Sequence, residues 1–166
     1  MSAGRVRRVA ATGAAALALA VLAAALAGPT VGLFSGTRPA SLGFAGGRFA
    51  DGGWRPNWVS STAPREDAKH HVAPIAFQGE PARAWAALEA AVASMPRATV
   101  VTRTPSYLHV EFASRVMGFV DDAEFALVAA SGTIHVKSAA RLGVRDFSVN
   151  RDRVEAIRAA LSRPGT

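Results

Sequence analysis

Three apolar periods follow one another along this chain. Val9 to Ala27 carries no charge at all, and the apolar character continues to Phe34, broken by Gly28-Pro29. From Glu80 to Met95 the period is helical. Trp85, Leu88, Val92 and Met95 form one stripe with Arg83 and Glu89 off it, Pro81 suits the first turn, and Pro96 ends the run. After that the period drops to two. Thr99 to Thr104 is β-rich. Tyr107 to Ser114 alternates, with Leu108, Val110 and Phe112 on one face and Tyr107, His109 and Glu111 on the other. Val120 to Val128 and Thr133 to Ala139 continue as strands around the tight turn Ser131-Gly132, Ile134 and Val136 inward, His135 and Lys137 outward. A final stripe of Val154, Ile157 and Leu161 predicts a helix capped by Asn150, with Asp152 in its first turn and Arg163-Pro164-Gly165 as its stop.

Helix, four strands and helix make a small α+β domain of two layers. An antiparallel sheet of about four strands is covered on one face by helices and wet on the other. The segments divide as 1–34, an N-terminal hydrophobic helix; 35–53, a linker; and 54–166, the domain. Ser35 to Gly53 shows no clear period and reads as a connector, in which Leu42, Phe44 and Phe49 are the residues able to dock. Trp54-Arg55-Pro56-Asn57-Trp58-Val59-Ser60-Ser61 follows as a polar loop whose side chains clamp nearby backbone.

Composition removes several function classes. The chain of 166 residues has no cysteine, which excludes disulfides, thiolate zinc sites, cysteine nucleophiles and a lipidated Cys. The net charge of +7 is inflated by Arg5, Arg7 and Arg8; the remaining 16 basic and 12 acidic residues leave +4, with no basic block interleaved with aromatics, so no nucleic-acid partner is expected. Those three arginines precede an apolar run as long as the roughly 20 residues that a bilayer core requires. By the positive-inside rule they predict a single-pass inner-membrane helix over residues 9–27, with the rest of the chain periplasmic. The alternative is a signal peptide cleaved near Ala25-Leu26-Ala27 that releases the domain to the periplasm.

The chemistry concentrates between Ser114 and Arg153. If the last three strands form a meander, the fourth runs parallel to the second, and its end near Arg141 reaches the same rim of the sheet as Asp121-Asp122 and the start of the last helix. Asp121, Asp122 and Glu124 are therefore expected to pair with Arg141, Arg145, Arg151 and Arg153 through bidentate guanidinium contacts. The pairing locks the sheet to the helix, or it leaves an anion site at that pole. Adjacent strand residues face opposite ways, so Asp121 and Asp122 make a poor catalytic dyad. His70 and His71, adjacent and without a partner at ligand spacing, read as surface residues; His109 and His135 read as residues of the wet sheet face. No metal motif is present and no cofactor is expected.

With these residues assembled, the chain resembles the bacterial and plastid family known as domain of unknown function 1499. The resemblance rests on three blocks in order: Pro56-Asn57-Trp58-Val59-Ser60-Ser61; Ser114 through Gly118-Phe119-Val120-Asp121-Asp122 to Glu124; and Lys137-Ser138-Ala139-Ala140-Arg141 with Gly143, Asp146, Asn150, Arg151 and Arg153. It covers about Asn57 to Leu161. Trp58 stands where the family has cysteine, Lys137 for arginine and Ala140 for serine. The resemblance implies a small domain, often preceded by a membrane segment or signal, and brings no activity. The expected function is a tethered envelope domain, more non-catalytic than enzymatic, that binds a small anion or a protein partner through Asp121, Asp122, Arg141, Asp146, Asn150, Arg151, Arg153 and Ser60. A hydrolase using the same pole, or a structural component of a membrane complex, are the alternatives.

Overall fold

The alternation of apolar residues from 98 onward folds as a meander. The structure, a computed structural model, describes residues 3–145 and 147–162. Strands β5 (Ala98–Arg103), β6 (Tyr107–Ala113), β7 (Val120–Val128) and β8 (Thr133–Ala140) pair antiparallel in sequence order. A 3-10 turn at Ala129–Ser131 joins the last two. Helices α2 (Pro81–Ala93) and α3 (Val149–Leu161) pack together over one face, where Leu88, Val92, Val154 and Ile157 meet Leu108, Val110, Phe125 and Val136 in the core.

The sheet has six strands, not four. β3 (Trp58–Ser60) pairs with the C-terminal half of β8, and β4 (Ile75–Ala76) with its N-terminal end, giving the order β3-β8-β7-β6-β5 with β4 also on β8. Strands of two or three residues are too short to show a period, so Trp58-Val59-Ser60 read as loop. A separate hairpin, β1 (Phe44–Ala45) with β2 (Arg48–Phe49), lies in the segment read as a connector.

That segment changes the architecture, because it lies across the face expected to be wet. Phe44 stacks on His135 at 5.5 Å and meets Phe49 edge-on at 4.9 Å. Phe49 is 2% exposed. The Gly43 amide donates to Glu124 Oε2 at 2.6 Å, Lys137 Nζ donates to the Ala50 carbonyl at 2.8 Å, and Arg38 reaches Glu111 at 2.6 Å. Two glycines permit this approach. At Gly36, with φ +65°, a Cβ would lie 2.9 Å from that of Arg141; at Gly52 it would lie 2.4 Å from the Trp58 indole. His109 is therefore buried rather than solvated, and His135 is half-buried. His70 is buried too, stacked on Trp58 at 4.1 Å and hydrogen-bonded to Asp67, so the reading of it as a surface residue is also corrected.

The N-terminal expectation is overturned. Residues Ala3–Val31 form one helix, α1, but among the described residues no helix is long and apolar enough to cross a membrane. Twelve of the 29 residues of α1 are alanine, whose single methyl contributes little transfer free energy, and its ends carry arginines and a Gly-Pro-Thr sequence. A single-pass inner-membrane protein with a periplasmic domain is not what this fold supports. The predicted stop Arg163-Pro164-Gly165 lies outside the described residues.

Candidate functional site

Connectivity does bring the acids and arginines to one rim, and side-chain parity then sorts them onto two faces. On the helix face, Arg153 of α3 donates to Asp121 Oδ2 at 2.6 Å, to Asn150 Oδ1 at 2.7 Å and to Ser138 Oγ at 2.9 Å, and lies 4.6 Å over the Phe112 ring. Asn150 is fully buried. It accepts from Ser138 Oγ at 2.6 Å and donates to the Asn57 carbonyl at 3.1 Å. It is thus the second residue of α3, behind an N-cap at Ser148, and not the cap itself. Asn57 continues the chain of bonds, donating to the carbonyls of Ala140 and Gly143. α3, β3 and β8 are pinned together by amide groups that have no exposed alternative.

On the opposite face, Arg141 makes a bidentate pair with Asp122, 2.7 Å on each arm, and also contacts Glu111 Oε1. His109 Nε2 lies 2.8 Å from Asp122 Oδ1 and donates to that ionised carboxylate. Burial by itself would raise the pKa of Asp122; the Arg141 guanidinium, then His109, outweigh it and hold the carboxyl below its ordinary value. The same balance of burial against Arg141 and Arg38 lowers Glu111. The hydrogen bonds to Asp122 in turn raise Arg141. Beside them, Glu124 accepts from Tyr107 Oη at 2.7 Å and faces Lys137 Nζ at 3.8 Å. Burial lowers the Lys137 pKa, partly opposed by Glu124. Tyr107 is pushed up by burial and by Glu124. His109, Glu111 and Asp122 converge closely enough to ligate a cation. The Arg141 guanidinium already fills that role and would have to be displaced.

The remaining expected site residues fall elsewhere. Arg151 is spent on the carbonyls of His71, Ala68 and Lys69. Ser60 is buried on β3, in register with Lys137 and bonded to Thr62, well along the strand from Arg141. Asp146 lies outside the described residues.

A cleft of about 350 Å³ opens at this rim, on the helix-face side of the Asp121–Arg153 pair. It is lined by two arginines: Arg97, which the sequence reading did not single out, and Arg145, which it expected to pair with the acids of this rim. Arg97, in the left-handed region at φ 59° immediately after Pro96, is held by a bond from its Nε to the Ala113 carbonyl at 2.9 Å. Arg145 sits in the loop between β8 and α3. Both are exposed, and among the described residues neither has a carboxylate partner. A lone arginine after a proline carries no motif; only the fold reveals where it stands. A neighbouring cleft of about 410 Å³ shares Arg145 and Phe147 and adds Lys69 and Arg151.

Residues 52–161 match the family model described as "Protein of unknown function (DUF1499)". No curated protein and no solved structure matches the chain.

Proposed function

The chain belongs to the DUF1499 family of proteins of unknown function, and from that premise we propose that its arginine-rich pole is a non-catalytic binding site for a small anion. The observation that carries this reading is the division among the arginines. Arg141, Arg151 and Arg153 are consumed by internal partners, whereas Arg97 and Arg145 flank a cleft without an acidic partner among the described residues. Two guanidinium groups lining one cavity suit a phosphate or carboxylate. Asp121 also lines the cleft, and its charge is balanced by Arg153 at 2.6 Å.

The geometry speaks against the hydrolase alternative. Asp121 and Asp122 are each tied to an arginine on opposite faces, so neither is a mobile proton carrier in the cleft. Ser61 Oγ lies 3.0 Å from His135 Nδ1, a serine–base contact, but this hydroxyl also accepts the Val136 amide at 2.9 Å and so extends the β3–β8 ladder.

Calorimetric titration of the full chain with inorganic phosphate at low salt tests the reading. Arg145→Ala is expected to weaken binding about tenfold, equivalent to roughly 1.4 kcal/mol. Arg65→Ala removes the same charge from an exposed loop and leaves affinity within about twofold. Equal effects of the two substitutions, or no detectable binding, overturn the proposal.

A further inference from the structure

Arginines explain an anion, but they do not explain the walls of this cleft. Phe119, Leu142, Phe147 and Val149 all line it and are 41%, 41%, 89% and 48% exposed. Exposed apolar residues scattered singly mean little; four lining one cavity beside two arginines that have no carboxylate partner among the described residues form a patch of a defined kind. Phe34 packs on the Phe119 ring at 5.4 Å and holds it in place. Phe147 and Ser148 both occupy the left-handed region, at φ 50° and 69°, so the backbone accepts strain in presenting an aromatic ring to solvent.

We propose that the cleft takes a free, single-chain anionic amphiphile, its phosphate or carboxylate head between Arg97 and Arg145 and its chain along the Phe119–Leu142–Phe147 wall. This rests on the anion reading above and names the class of anion. An inorganic ion would use only the arginines, and a neutral chain only the wall; an amphiphile uses both. At about 350 Å³ the cavity lies near the lower end of the roughly 300–1,000 Å³ typical of small-molecule sites, which fits one chain.

The test titrates the full chain with inorganic phosphate, octyl phosphate and octanol, each kept monomeric. Octyl phosphate is expected to bind at least about tenfold more tightly than phosphate, and octanol more weakly than octyl phosphate. Arg145→Ala weakens both anions. Phe147→Asn, chosen because asparagine tolerates left-handed backbone, and Leu142→Ser remove the gain from the chain and leave phosphate affinity unchanged. Phosphate binding with no gain from the octyl group overturns this inference and leaves the anion reading standing. Absence of binding by either anion overturns both. A gain that survives Phe147→Asn and Leu142→Ser places the chain elsewhere, for example on the exposed Leu17, Leu22 and Leu26 of α1, and also overturns it. Phosphatidylglycerol vesicles separate the two sources of such a head. Retention of octyl phosphate in their presence supports a free ligand, and its displacement overturns that source in favour of a bilayer headgroup. A protein partner presenting an acidic residue beside an apolar one predicts no gain from octyl phosphate, which is again the overturning result.

Discussion

Arg141→Ala is expected to lower stability by about 3–5 kcal/mol, because it leaves Asp122, 3% exposed, and the half-buried Glu111 without their shared cation. That is a large share of the roughly 5–15 kcal/mol available to a domain of this size. The effect has a pH signature. Asp122 and Glu111 both titrate below their ordinary values of 3.8 and 4.5 in the folded chain. Their contribution is fully present above those ordinary values and is lost as pH falls through the lowered ones. Guanidinium unfolding of the native chain should therefore show stability falling between about pH 5 and pH 2, and Arg141→Ala should flatten that acid limb. A loss under about 1 kcal/mol with the acid limb unchanged would mean that the pair is screened by solvent.

The second large effect concerns the covering segment. Phe49→Ala removes a ring that is 2% exposed and packed against Phe44, and is expected to cost about 3–5 kcal/mol in the same unfolding experiment. A connector lying loosely on the surface would lose less than about 0.5 kcal/mol. The small result would contradict the placement of the Ser35 to Gly53 segment across the second sheet face, and with it the burial of Glu124 and Lys137.

How much of this was legible depended on which physical rule a residue obeyed. The helix at Pro81–Ala93 and strands β6 to β8 follow from periodicity, and β5 from its β-rich composition. The meander followed from short turns, and it placed Asp122 and Arg141 at one rim, where they pair. The second face was misread because Tyr107, His109 and Glu111 show polar parity whether water or another part of the chain covers them. The cover comes from an aperiodic, glycine-rich stretch some 70 to 90 residues earlier, and no local pattern announces it. Asn150 was read by type as a cap; its burial depends on Asn57 and Ser138 arriving from other strands. Arg97 went unnoticed, and Arg145 was expected to pair with the rim acids, because which arginine meets a carboxylate is a property of the fold rather than of spacing.

The central claim is that arginines paired with a carboxylate and arginines without one among the described residues are distinct here. The guanidinium Nε–H spectrum of the full chain, recorded while inorganic phosphate is added, reads it most directly. The account predicts that the Arg97 and Arg145 resonances shift with phosphate while those of Arg141 and Arg153, locked on Asp122 and Asp121, stay in place. Movement of the Arg141 or Arg153 resonances before those of Arg97 and Arg145 would contradict it.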